Sequence, residues 1–234
     1  MDVIIALNHK SNLGKQEYTE YLKEISSIET SHQLILCPSF INIGECHPDN
    51  ITLGAQNVST YESGAHTGEI SASQLKSYGV KYVIVGHSER RKDQKENLET
   101  IHQKLIRLLE TDITPILCIG ETKEERATNK VEEVLQKEVT SALAGLTKED
   151  QEKIIIAYEP IWSIGTGLIP SNSDIKKTIG YIKQLLPTSK VLYGGSANEE
   201  NIDIIKRVTN IDGYLLGGLS LQPEKLKLFV NKLN

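Results

Sequence analysis

The sequence predicts an α/β fold: a single domain over residues 1–234, built as a (β/α)8 barrel. Three observations carry that expectation. Short runs rich in Ile, Leu and Val recur eight times, helical stretches separate them, and no linker, low-complexity segment or change of composition divides the chain. The first run starts at residue 3 and the eighth at 213, so seven intervals average 30 residues, the rhythm of βαβ units.

The runs are 3–7, 33–38, 51–57, 82–86, 114–120, 153–160, 190–196 and 213–218. Each is apolar almost throughout rather than alternating, as parallel strands buried on both faces must be. Between them, 94–110 places Leu98, Ile101, Leu105, Ile106 and Leu109 at helical spacing, and 125–143 does so with Val131, Val134, Leu135 and Val139. Ile175, Ile179, Ile182 and Leu186 mark 172–186, with Ser173 as the expected N-cap; Ile202 and Ile205 mark 198–208, with Asn198 as its cap. The rhythm alone does not separate a closed barrel from a doubly wound open sheet. The absence of Gly-x-Gly-x-x-Gly after the first run and the undivided chain favour the barrel.

Composition narrows the function. With 38% hydrophobic and 24% charged residues, 17 glycines and 7 prolines, the chain is neither disordered nor collagen-like. A net charge of −5 leaves no broad basic face, so no nucleic-acid or membrane partner is expected, although a local cationic pocket is compatible with it. Cys37, Cys46 and Cys118 form no Cys-x-x-Cys pair, no disulfide framework and no metal cluster with His, which fits a reducing compartment. The start of the chain lacks a basic segment before its short apolar stretch, and no stretch nears the ~20 apolar residues of a membrane span. A cytoplasmic protein is expected.

In a (β/α)8 barrel the active site forms at the C-terminal ends of the strands. Those ends carry Asn8-His9-Lys10, Gly86-His87-Ser88-Glu89-Arg90-Arg91, Cys118-Ile119-Gly120-Glu121, Tyr158-Glu159-Pro160, Tyr193-Gly194-Gly195-Ser196 and Leu216-Gly217-Gly218. Acid, base, cation and glycine turns would therefore converge on one face. Each has a plain alternative when taken singly: His87 as a structural histidine, Glu159 as a salt-bridge partner, Lys10 as a surface lysine over Leu13, Cys118 as a small buried hydrophobe, and residues 87–91 as a solvated charged turn. Their conjunction at successive strand ends weighs against that.

The segments AYEPIWSIGTG (157–167), GHSERR (86–91), CIGE (118–121), YGGS (193–196) and DGYLLGG (212–218) resemble the triosephosphate isomerase family, in its order and over essentially the whole chain. The resemblance implies a TIM barrel that interconverts dihydroxyacetone phosphate and glyceraldehyde 3-phosphate through an enediol(ate), in glycolysis and gluconeogenesis, with no metal and no organic cofactor. It implies Glu159 as the base, with a pKa raised by enclosure, and His87 as the electrophile. This family is itself the standard illustration of a neutral catalytic histidine whose pKa a helix N-terminus lowers. Lys10 would place positive charge at the substrate and Asn8 would stand beside it. Gly165, Ser196, Gly217 and Gly218 would hold the phosphate. Residues 160–170 would form a lid; Leu168-Ile169-Pro170 depart from its usual end. Glu89 follows the pattern with its role open, an ion pair with Lys10 or with a neighbouring subunit standing beside catalysis.

His9 stands where the family usually carries an aromatic residue, and His9, His32, His47, His66 and His102 are assigned to surface or packing. The loop 60–69 resembles the family's dimer loop, with Thr67 entering a second subunit, so a homodimer is expected. A Schiff-base aldolase is disfavoured because the sixth run ends in Glu159 rather than holding a lysine. A catalytically silent scaffold is disfavoured by the presence of Asn8, Lys10, His87 and Glu159 together.

Overall fold

The computed structural model describes residues 2–45, 47–166 and 168–234. Met1, Cys46 and Gly167, the last glycine of the segment after the sixth run, lie outside the described residues. The eight runs form strands β1 (Ile4–Asn8), β2 (Gln33–Cys37), β3 (Ile51–Ala55), β4 (Tyr82–Val85), β5 (Thr114–Ile119), β6 (Ile155–Tyr158), β7 (Val191–Tyr193) and β8 (Gly213–Leu216). All neighbours pair in parallel, and β1 pairs with both β2 and β8, closing the barrel.

Two cores explain why the runs are apolar throughout. Side chains alternate across a strand. Ile4 and Ala6 of β1 join Ile35, Cys37, Ile84, Ile116, Cys118, Leu192 and Leu215 in one cluster inside the barrel. Ile5 and Leu7 face outward and meet the helices in a second, larger layer with Leu34, Leu36, Ile101, Leu105 and Ile179.

Caps and turns decide where the helices stop. The expected helix 94–110 contracts to Leu98–Leu109, because Asn97 Oδ1 accepts the Thr100 N–H at 2.8 Å and starts it there. The stretch 125–143 divides into Lys123–Ala127 and Val131–Ala142, broken by Asn129 at φ 57°. Ser171, not Ser173, caps Asn172–Leu185 by accepting the Asp174 N–H. The stretch 198–208 shrinks to Ile202–Ile205; Asn198 caps the preceding turn, its Oδ1 accepting the N–H groups of Glu200 and Asn201. A helix over Lys15–Ile25 buries Tyr18, Tyr21, Leu22 and Ile25 against the barrel. A six-residue helix, Ser88–Asp93, starts directly after β4 with His87 as its N-cap.

Candidate active site

The parallel barrel puts every strand's C-terminal end on one rim, and a cavity of about 430 Å³ opens there. Asn8, Lys10, His87, Glu159, Gly165, Ser196, Gly217 and Gly218 all line it. Residues picked from five separate stretches of sequence are thus brought together in one place.

Lys10 sits in a left-handed turn, φ 53°, which costs a non-glycine residue about 1 kcal/mol or more. Three side chains hold that turn: Asn8 Oδ1 accepts the Lys10 N–H at 3.1 Å, Gln56 Nε2 donates to the Lys10 carbonyl at 2.8 Å, and Asn12 Nδ2 donates to the His9 carbonyl at 2.7 Å. The result aims the Lys10 ammonium across the mouth, where it donates to Glu89 Oε1 at 2.5 Å.

His87 is buried, and its role as a helix cap sets its tautomer. Nδ1 accepts the Glu89 N–H at 3.2 Å, so the proton of the neutral ring belongs on Nε2. Nε2 lies 3.2 Å from Glu159 Oε1. Glu159 follows β6 directly, and its own N–H donates to the Ile119 carbonyl at 2.8 Å, so its backbone is pinned to the end of β5.

This pairing reverses the two expected pKa shifts. Burial pushes the Glu159 carboxyl up, but the charge and hydrogen bond of His87, with the Ser88 N–H and the Cys118 thiol, bring it below the usual carboxylate range. Burial pushes His87 down, but the Glu159 carboxylate draws it above the ordinary imidazole value. A ligand oxygen placed between them would remove that mutual influence, leaving burial as the larger influence on each.

The glycines do two different things. Gly165 has φ 68°, a left-handed conformation that turns the chain after the 3₁₀ segment Ile161–Ser163. A Cβ on Gly194 would lie 2.8 Å from Glu159 Cγ, so only glycine leaves room for the carboxylate there. Ser196 is tied to the start of the expected lid: its Oγ donates to the Ser163 carbonyl at 2.5 Å, and its N–H approaches Ser163 Oγ at 3.4 Å.

The family model for triosephosphate isomerase matches residues 3–233. The chain belongs to the triosephosphate isomerase family. It is similar to the triosephosphate isomerase of Alkaliphilus metalliredigens, 39% identical over 243 residues covering 97% of this chain and 98% of the relative. The corresponding figures are 39% with 98% and 98% for that of Gloeothece citriformis. For that of Francisella tularensis subsp. mediasiatica they are 36% with 100% and 98%. The aligned spans of 239 to 248 residues exceed the 234 of the chain, so these triosephosphate isomerases carry residues that it lacks.

Several residues that support this family site escaped the sequence reading. Arg91 is not part of a solvated turn. Its guanidinium donates to the Gly86 carbonyl at 2.7 Å, the Cys118 carbonyl at 2.8 Å and Glu138 Oε1 at 2.8 Å, fastening the ends of β4 and β5 together. Glu121 is completely buried and accepts from Arg126 Nε at 2.8 Å, Trp162 Nε1 at 2.9 Å and the Tyr158 hydroxyl. Trp162 is thus held by a buried carboxylate, while the Arg126 guanidinium lies 5.3 Å from its ring centre. The available sequence signal was a charge, Glu121, directly after an apolar strand. Among the described residues no group of three or more His, Cys, Asp or Glu could hold a metal ion, and no helix is long and apolar enough to cross a membrane.

Proposed function

We infer that the chain acts as one (β/α)8 domain that interconverts dihydroxyacetone phosphate and D-glyceraldehyde 3-phosphate, as an aldose–ketose isomerase of glycolysis and gluconeogenesis. The observation that carries the assignment of roles is the contact between His87 Nε2 and Glu159 Oε1, 3.2 Å apart at the mouth of the cavity beside Lys10. A carboxylate able to take a carbon-bound proton stands next to a ring nitrogen able to donate to oxygen.

In this reading the substrate carbonyl oxygen takes the place between them. Glu159 removes the proton from the carbon beside the carbonyl, and the electron pair moves onto oxygen to form the enediolate. His87 gives its Nε2 proton to that oxygen and recovers one from the neighbouring hydroxyl. Glu159 returns its proton to the other carbon. The proton at Nε2 is the one needed, because Nδ1 is committed to the Glu89 N–H. Lys10 stabilises the charge that develops on oxygen, with Asn8 fixing its turn; such preorganised charge is often the largest catalytic contribution. The phosphate is held at Gly165, Ser196, Gly217 and Gly218, where backbone donors can approach closely. No step needs a metal or an organic cofactor. Residues 160–170 close over the intermediate, excluding water.

The substrate is a small phosphorylated triose, and the working form is a cytoplasmic homodimer. A second cavity, about 360 Å³, lies on the far side of Lys10 and is lined by Phe40, Gln56, Glu89 and Asp93 among others. Ile41 and Tyr78 are exposed at 80% and 62%, large apolar surfaces suited to a partner. The loop 60–69 projects with a preformed shape, Tyr61 stacked on His66 at 3.6 Å and Arg107 donating to the Thr60 carbonyl and to Glu62. Thr67 on that loop would enter the second cavity of the other subunit.

The test is turnover of dihydroxyacetone phosphate in deuterated water, following isomerisation and solvent-hydrogen exchange at the carbon beside the carbonyl. Both are expected. Folded protein showing neither would overturn the assignment and favour a silent scaffold. Sedimentation equilibrium tests the dimer; a monomer at micromolar concentration would remove it.

A further inference from the structure

The end of β1 contains a buried titratable group that the mechanism above does not use. His9 has no exposed surface, yet neither ring nitrogen has a hydrogen-bond partner. Its ring is gripped edge-on by Tyr21 at 4.5 Å and Tyr18 at 5.9 Å, both from the helix Lys15–Ile25. Its backbone belongs to the Lys10 turn: the His9 N–H donates to the Cys37 carbonyl at 3.2 Å, and its carbonyl accepts from Asn12. The strained Lys10 turn is thus anchored by an aromatic slot as well as by hydrogen bonds.

We propose that His9 is a positioning residue for Lys10 and that its imidazole makes the β1 end acid-labile, because a charged ring would stand buried against Tyr18 and Tyr21 with neither a counter-charge nor a hydrogen-bond partner. This rests on the assignment of Lys10 to the active site.

Nothing packed around the ring offers a counter-charge. From the helix, Tyr18 and Tyr21 are held neutral by burial, which raises both phenols, and the Tyr18 hydroxyl is already paired with His47 Nε2 at 2.8 Å. From β2, burial raises the Cys37 thiol to about 12. Glu45 acts on Tyr18 and His47 but is not among the influences on His9. From the segment after β8, the Ser220 backbone lies close enough to draw His9 up, a smaller influence than burial and outside hydrogen-bond geometry with either nitrogen, while its hydroxyl donates to the Gly217 carbonyl. Burial accordingly pushes His9 down to about 4. A group depressed in the folded state and near 6.5 when unfolded favours folding fully above 6.5, and loses that contribution as pH falls from there to about 4. An uncharged aromatic or aliphatic side chain in the same slot would be insensitive to acid.

The full-length chain and its His9→Phe and His9→Leu variants are titrated from pH 7.5 to 3, following circular dichroism and Trp162 fluorescence. Dihydroxyacetone phosphate turnover at pH 5.5 is taken relative to pH 7.5. Acid midpoints at least about half a pH unit lower in the variants are expected, with a larger retained fraction of activity at pH 5.5. Midpoints equal to wild type overturn the proposal. Should neither variant fold, the His9 Cε1–H resonance of the wild type decides: it is expected to hold its neutral position until the acid transition, and a titration near 6.5 in folded protein overturns it. If the wild type turns over no triose phosphate while the acid midpoints still shift, the isomerase reading fails and the acid lability of the turn stands.

Discussion

Alanine at Gly194 is expected to slow turnover without unfolding the barrel. The new Cβ would stand 2.8 Å from Glu159 Cγ, whereas carbon atoms prefer about 3.5–4.0 Å. The other neighbours, the Tyr158 carbonyl at 3.4 Å and Glu159 Oε1 at 3.5 Å, accept it with little change, so the whole mismatch falls on one side chain. Glu159 must retreat by about 0.7–1.2 Å, and its backbone cannot follow because its N–H is bonded to Ile119. A displacement of that size costs a reacting group about 10²-fold, or about 2.7 kcal/mol of barrier. Overpacking of this kind costs about 1–3 kcal/mol of stability, or several degrees of melting temperature in a chain of this length. Steady-state isomerisation with calorimetry separates the two effects. A kcat lower by about 10–100-fold, at a KM within a few-fold of wild type, is expected. Wild-type kcat in a folded Gly194→Ala protein would refute the idea that the space beside Gly194 positions the base.

Other substitutions probe other parts of the same rim. Glu159→Asp withdraws the carboxylate by one methylene, about 1 Å, and kcat should fall by about 10²-fold or more while circular dichroism is unchanged. Glu121→Ala leaves the Trp162 N–H and Arg126 without their buried acceptor, and should cost about 3 kcal/mol in urea unfolding; a change below about 1 kcal/mol would make that cluster incidental. Gly180→Ala is a contrasting case. Its Cβ meets nothing within 4 Å inside the helix Asn172–Leu185, so stability should rise by about 0.5–1 kcal/mol with kcat unaltered. The His87–Glu159 pair has a pH signature. A lowered carboxyl contributes stability above its unfolded value and loses it as pH falls; a raised imidazole contributes below its unfolded value and loses it as pH rises. The difference in urea midpoint between wild type and His87→Gln should therefore peak between about pH 4.5 and 6.5. A flat difference across pH would show that the contact is not ionic.

Strand spacing was legible because burying both faces of a barrel strand forces apolar runs, which any reader of the chain can count. The chemistry was legible because a parallel barrel collects all its C-terminal strand ends on one rim, so Asn8, Lys10, His87 and Glu159 needed only to follow strands. Helix limits were less legible, since a side chain such as Ser171 or Asn97 starts a helix wherever its oxygen reaches an N–H, and similar residues stand nearby. Arg91 looked like a charge in a turn, and Glu121 was given no role, because their partners, Glu138 and Trp162, lie 47 and 41 residues away.

By itself, then, the sequence determined the βα rhythm, the order of the functional groups and the family, all properties of local pattern. The tertiary structure decided how those groups meet: Glu159 and His87 face each other from the ends of β6 and β4 and shift opposite to expectation, and His9, expected at the surface or in packing, is buried edge-on against Tyr18 and Tyr21. Protonation depends on distance and burial, and both arise only when the barrel closes.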